Sequence, residues 1–383
     1  MTPTAAPPPE VRAFLDHASA SPLRPEVASS LVELLGVVQA DPGRPYDEAI
    51  VVRRLIEDAR DAVAALAGTT SRQVVFTSGL AESATTAMAA LAPGGVVLAA
   101  GVERSSVLDA ARRYAAIEMI EVDHRGRLDL GQLADRLAKG GVSLVCGQVA
   151  NHETGTRNDM ASLVELTRAA GATSHVDASM GFGRLDMDLA ALGADVVTVS
   201  AELLGAPMGA GALLVRKGRL LAPLLLGGAQ ERARRAGLEN LLGIIGFGIA
   251  AELLVDQDLR SSEMARAARQ IDALEAAATK VEGVTALGDP DPAGRVRWLR
   301  CFGIEGVEAE PVLMGLDRAG ISVHSGSACS TESLEPSPVL AAMGLDADRS
   351  LRLSVGWSTT DADIQRFAEC FGPVLGELRA LRT

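Results

Sequence analysis

Cys329 lies in the stretch SVHSGSACSTESLEPSPVL, among glycine, serine and alanine residues. A cysteine in such a loop reads as a nucleophile or persulfide carrier if it ionises, and as an inert thiol if it is buried. A second candidate is the run Val74 to Thr77, followed by Ser78, Gly79 and a helix opening near Ala81. Strand, glycine turn and helix start together aim backbone N–H groups at an anion. Lys139, Lys217 and Lys280 are the only lysines, and each reads as a solvated side chain, so amines for imine chemistry are scarce. His17, His124, His175 and His324 have no metal-ligand spacing among themselves, and no metal site is expected.

These residues require a scaffold of alternating strands and helices. The pattern predicts helices over Pro25 to Leu35 and Tyr46 to Leu66, a buried strand at Val74 to Thr77, and strands at Gly95 to Ala99, Glu118 to Val122 and Ser143 to Val149. Helices over Ser105 to Tyr114 and Leu128 to Leu137 fall between them. A strand ending in Asp177, a helix near Leu185 to Leu192, and strands at Asp195 to Ser200 and Gly211 to Val215 follow. Such alternation argues a mainly parallel sheet covered on both faces. One long helix from Leu238 to about Lys280 is expected to lead to strands near Val284 and Val296 to Phe302. Helices from Glu310 to Arg318 and Asp361 to Leu381 complete the pattern.

At 383 residues, a large domain plus a smaller one is the natural prior. The formal net charge of −13 argues against nucleic acid or an anionic membrane surface as partner. The N-terminal MTPTAAPPPE lacks the charged and apolar regions of a signal peptide, and no apolar run reaches membrane-spanning length. Four widely spaced cysteines fit reduced thiols, so a cytoplasmic location is expected.

The order of motifs from about Phe14 to Phe371 resembles the class V aminotransferases, and most closely the cysteine desulfurases, which carry pyridoxal phosphate. The resemblance rests on FLDHASASPLRPEV, SGLAES, GVERSSVLDAAR, NHETG, SHVDASM, GGAQERARRAGLEN, the Cys329 loop and SLRLSVGWSTT. It implies an α/β, PLP-transferase type I-like fold, with a large, mainly parallel sheet domain and a smaller α+β domain. Residues 1–12 are expected to form a disordered tail. Residues 13–250 are expected to form the large domain, with the N-terminal segment contributing to the small one, and 251–383 the linking helix and small domain.

The resemblance also implies a site, and the chain departs from it. The family's lysine, which holds the cofactor as a Schiff base, closes a Ser-Gly-His-Lys turn that here reads Ser200, Ala201, Glu202, Leu203. A phosphate-binding threonine is Ala81, the ring-stacking histidine is Arg104, and the second asparagine of Asn-Asn-Glu-x-Gly is His152, after Asn151. A glutamine is Met180, and a threonine given across the dimer interface is Leu238. Asp177, the partner of the pyridine nitrogen, and Ser200 remain. Arg352 matches the arginine that binds the substrate carboxylate, with Asn151 as a second substrate contact, and Cys329 matches the sulfur acceptor.

From these departures no cofactor is expected, pyridoxal phosphate being disfavoured, and Arg104 is expected to pair with Asp177 or Glu202. The first function implied is a degenerate desulfurase acting as sulfur relay, scaffold or regulatory subunit. It would be a homodimer and would work with an active desulfurase or a sulfur-carrier protein. A PLP-independent enzyme using Cys329, Arg104, His152 and Glu202, with a small carboxylate as ligand, is one alternative. An active desulfurase or lyase with unusual cofactor binding is the other.

Overall fold

In the computed structural model the described residues are 12–325, 328–330 and 333–381. The tail assigned to residues 1–12 lies outside them except for Arg12, which pairs with Asp317. The chain enters through β1 (Ala13–Phe14), then forms α1 (Pro25–Leu34), α2 (Asp47–Leu66), β2 (Val74–Thr77), α3 (Leu80–Leu91) and β3 (Val96–Ala100). It continues as α4 (Ser105–Tyr114), β4 (Ala116–Ile120), α5 (Leu130–Ala138), β5 (Leu144–Gln148), α6 (Met160–Ala169), β6 (Thr173–Asp177), α7 (Leu189–Leu192), β7 (Val196–Ser200) and β8 (Gly211–Val215).

Seven strands make the large sheet in the order β2-β8-β7-β6-β5-β3-β4. β8 runs antiparallel to both neighbours, whereas β3 to β7 pair in parallel. Period-two alternation explains how both faces are covered. Leu98 and Val145 point into a core shared with α2, α6 and α9, while Val97, Ala99, Leu144 and Cys146 pack with α3 and α4 on the other face.

A left-handed turn, α8 (Gln230–Ala233), has φ of 49°, 57° and 62° at Glu231, Arg232 and Ala233. L-residues resist this conformation, so something must hold it. Glu231 is gripped by Arg60 of α2 at 2.6 and 2.8 Å and by the Phe76 N–H at 2.8 Å. α9 (Leu241–Val255) is apolar on all sides and buried against α2, with Gly248 so close to Ala59 that a Cβ there would meet its Cα at 2.4 Å.

The single long helix expected from Leu238 to Lys280 is two helices. Asp256 has extended ψ, and its carboxylate accepts from the N–H groups of Asp258 and Leu259, capping α10 (Gln257–Ala278). An internal aspartate that caps competes with helix continuation.

The remaining elements are β9 (Val284–Leu287), β10 (Leu299–Ile304), α11 (Ala309–Arg318), β11 (Ile321–Ser322), β12 (Ala328–Ser330), β13 (Ser333–Glu335), α12 (Pro338–Ala342), β14 (Ser350–Ser354) and α13 (Asp361–Ala380). An antiparallel sheet, β14-β10-β9, packs on α10, α11 and α13 around a second apolar core, which β1 joins by pairing with β11. No helix among the described residues is long and apolar enough to cross a membrane.

Candidate cofactor and substrate site

Parallel strands bring the loops at their carboxyl ends to one edge of the sheet. Asp177 ends β6, Ser200 ends β7, and the turn holding Asn151 to Gly155 follows β5. Arg104, the residue before α4, reaches across this edge. Its Nε donates to Asp177 Oδ2 at 2.9 Å and its Nη2 to Ser179 Oγ at 3.3 Å. The Ser179 N–H donates to the other Asp177 oxygen at 2.8 Å. Exposure is 18% for the arginine side chain and 5% for the aspartate, so this is a mostly desolvated pair. Glu202, the other partner expected for Arg104, forms no ion pair among the described residues.

Two acids that sequence reasoning passed over stand beside this pair. Glu103 is buried with Oε2 lacking a partner; burial first, then the charge of Asp177, push its carboxyl up to about 8, against the pull of Arg104. Glu153 is raised to about 7 by burial, although Ser337 Oγ donates to it at 2.5 Å and Arg352 and Arg104 pull the other way. Both stand inside the matched motifs GVERSSVLDAAR and NHETG, but nothing in those motifs signals their burial. His175, read as a core or surface residue, is core: its Nε2 meets Thr198 Oγ1 at 2.8 Å, and burial lowers it to about 4.

His152 and Arg352 do come together. Arg352 Nη1 donates to the His152 carbonyl at 3.0 Å, and Nη2 binds Asp16 at 2.7 Å and Ser19. Burial first, then Arg104, Arg352 and His324, hold the His152 imidazole well below its ordinary value, so it is neutral. Its Nδ1 has no hydrogen-bond partner among the described residues. Asn151 is used within the chain: its amide donates to the Val102 carbonyl, and its oxygen accepts from Glu153, Thr154 N–H and Thr154 Oγ1.

The other predicted positions are dispersed. Leu203 sits in a short 3-10 turn after β7, 3% exposed, in the same apolar core as Met180 and Trp298. Its carbonyl accepts from Arg184 at 2.7 Å. Ala81 is exposed in the first turn of α3, and Leu238 is 67% exposed. Glu82 spans the start of α3, accepting from the Ser78 N–H at 2.8 Å and from Arg235 at 3.0 Å; burial alone would raise its carboxyl, but these bonds hold it low. Ser200 Oγ is buried without a hydrogen-bond partner among the described residues. Of Cys329 the structure describes the backbone, paired with Leu334, while its side chain lies outside the described part. Cys146 and Cys301 are buried thiols pushed up first by burial, Cys301 to about 12. No group of three metal-ligating side chains is found among the described residues.

A mixed, mainly parallel seven-stranded sheet with its polar cluster at the strand ends defines a PLP-dependent transferase-type fold. Residues 13–367 match the family described as aminotransferase class-V, and the chain belongs to that family. It is 32% identical to cysteine desulfurase IscS 1 of Archaeoglobus fulgidus, over 96% of this chain and 98% of the relative. A cysteine desulfurase of Cereibacter sphaeroides is 35% identical over 97% of each chain. The crystal structure of a NifS-like protein from Rickettsia africae superposes with a TM-score of 0.88 at 28% identity, covering 96% of this chain and all of that one.

This membership corrects the expectation of a chain without cofactor. Class V aminotransferases and cysteine desulfurases depend on pyridoxal phosphate, so that cofactor is expected here. Counting altered side chains missed what remains. The orphaned Ser200 Oγ and His152 Nδ1 and the retained Asp177 carboxylate fit a polar ring bearing an anion, as does the helix start at Leu80.

Proposed function

We propose that this chain is a cysteine desulfurase-like protein that holds pyridoxal phosphate by noncovalent contacts alone. On this reading it does not turn cysteine over by itself, and it serves as a sulfur relay, scaffold or regulatory subunit beside an active relative, as a homodimer in the cytoplasm. One observation carries the reading. In the turn after β7, which the resemblance matches to the family's lysine-bearing turn, Leu203 is buried in an apolar core and has no amine to offer. The lysines lie elsewhere: Lys139 caps the end of α5, Lys217 follows β8, and Lys280 follows α10.

When bound, pyridoxal phosphate supplies an electron sink for bonds at an amino acid's α-carbon. Asp177 would face its ring nitrogen, and Ser200 Oγ with the first turn of α3 would take its phosphate. Arg104 neutralises Asp177 from the side. Neutral His152 would offer a ring nitrogen for a hydrogen bond, since burial and the nearby arginines keep it from taking up a proton. Arg352, braced by Asp16 and the His152 carbonyl, would present a fixed positive charge to a carboxylate. In the relay role, the Cys329 thiolate attacks the outer sulfur of a donor persulfide. The donor leaves as a thiolate, and Cys329 becomes the persulfide.

The test is to supply excess pyridoxal phosphate, record the absorbance spectrum, reduce with borohydride, and measure the intact mass and cysteine-dependent sulfide release. Saturable cofactor binding with no pyridoxyl mass gain and no sulfide is expected. Incubation with an active desulfurase and cysteine should then add sulfur to Cys329 and not to a Cys329→Ser variant. A pyridoxyl group on one defined lysine, or sulfide release by the purified chain, would instead make it an active desulfurase.

A further inference from the structure

At the opposite end of β8 from the candidate site lies a cleft of about 620 Å³ lined by Arg72, Arg216, Lys217, Arg219 and Arg234, with the hydroxyl-bearing Thr70 and Ser71. The register fixes the separation: Ser200 pairs with Gly211 at one end of β8, and Val196 with Val215 at the other. Four residue steps of strand place the two sites about 13 Å apart or more. The cleft belongs to neither the cofactor edge nor the second apolar core.

Its charge is unbalanced. Arg216 and Arg219 share one carboxylate, Asp195, while Arg72, Lys217 and Arg234 have no ion-pair partner among the described residues. Arg234 is the telling member. It is half-buried, donating Nε to the Glu231 carbonyl at 3.2 Å and Nη2 to the Val74 carbonyl at 3.2 Å. The nearest acid, Glu231, is gripped on both oxygens by Arg60. Five cations against one carboxylate stand on a chain of net charge −13, so the cleft runs against the field of the whole molecule. A concave site of this size lined by several guanidinium groups suits multiply charged phosphates better than a flat acidic surface.

We infer that this cleft binds a small molecule bearing two or more linked phosphates, at a site separate from the cofactor's. Arg234 would form its floor, and Arg72 and Lys217 would close on the ligand from the exposed rim.

Isothermal titration of the full chain with inorganic pyrophosphate, with pyridoxal phosphate present at saturation, tests this. One saturable site that weakens with added salt is expected. Because Arg72 and Lys217 are exposed, the double variant Arg72→Ala/Lys217→Ala should keep its melting temperature and bind about tenfold more weakly. Absence of saturable binding at low salt, or unchanged affinity in the double variant, overturns the inference. So does tight binding of a glutamate-rich peptide that pyrophosphate fails to displace, since the surface would then be a protein dock.

Discussion

Leu203→Lys places an amine where the family carries one and puts it in an apolar core. The site is 3% exposed and shares its cluster with Met180 and Trp298, so an ammonium there loses its water. A fall of about three units from a lysine's ordinary value of about 10.4 corresponds to about 4 kcal/mol at neutral pH. Against a typical folding margin of about 5–15 kcal/mol, the variant should fold with much of that margin gone. The sign of its pH dependence follows. Between the lowered folded value and the ordinary unfolded one, the unfolded chain binds the extra proton, so the variant regains stability from about pH 7 to pH 10. The neutral amine favoured by burial is also the form that adds to an aldehyde. Urea unfolding of parent and variant at both ends of that range measures the first effect. Absorbance and intact mass after pyridoxal phosphate and borohydride measure the second, with a pyridoxyl gain expected in the variant alone. A folded variant that takes up no pyridoxyl group refutes the placement of Leu203 at the anchor position.

Glu103, held up to about 8 from an ordinary 4.5, keeps a proton that the unfolded chain has lost, so stability falls as pH rises between those values. The slope is at most about 1.4 kcal/mol per pH unit. Glu103→Gln should flatten this profile in urea unfolding at several pH values, and equal slopes in the two proteins would remove Glu103 as its source. Gly248→Ala brings a Cβ to 2.4 Å from Ala59 and should cost about 1–3 kcal/mol by overpacking α9 on α2; an unchanged urea midpoint contradicts that close approach. Arg60→Met leaves buried Glu231 with the Phe76 N–H as its remaining partner, and a loss of about 3 kcal/mol is expected. A loss below about 1 kcal/mol would mean that the left-handed turn is held by other contacts.

Much of the scaffold could be read from the chain, because local signals and tertiary packing agree there. α4 begins and ends where the amphipathic pattern does, and β2, β6 and β8 end where their glycines or polar residues stand. The break at Asp256 was not legible, since the flanking residues favour helix and the deciding hydrogen bonds belong to a single side chain. β4 lies two residues earlier than the strand read from the sequence: its pairing with β3 opens at Ala116 opposite Val96, and Val122 is taken by a bridge to Leu128. In the site, the meeting of Arg104 and Asp177 followed from the resemblance, which sets both beside one cofactor ring, although β5 lies between their strands. The protonated state of Glu103 did not, because burial is set by residues distant in the chain. Nor could the sequence show that Arg352 is braced by Asp16, 336 positions away. The cofactor expectation failed because it weighed replaced side chains one at a time, whereas the match to a family dependent on pyridoxal phosphate runs over nearly the whole chain.

The seam between the two sheets has a mechanical consequence. The backbone passes from one apolar core to the other between Ser19 and Arg24 and returns at Asp256, and Ala150, Met180 and Leu203 from the large sheet's loops also enter the second core. The two cores are therefore joined by interlocked side chains as well as by the chain itself. Arg24 stands at the first passage, its fork holding Glu263 of α10 at 2.8 and 2.7 Å while Nε holds the Leu204 carbonyl at 2.8 Å. One guanidinium thus ties the turn after β7 to the helix beneath the small sheet. The turn that carries Leu203 is fastened on its far side, so a change there is felt by both cores at once.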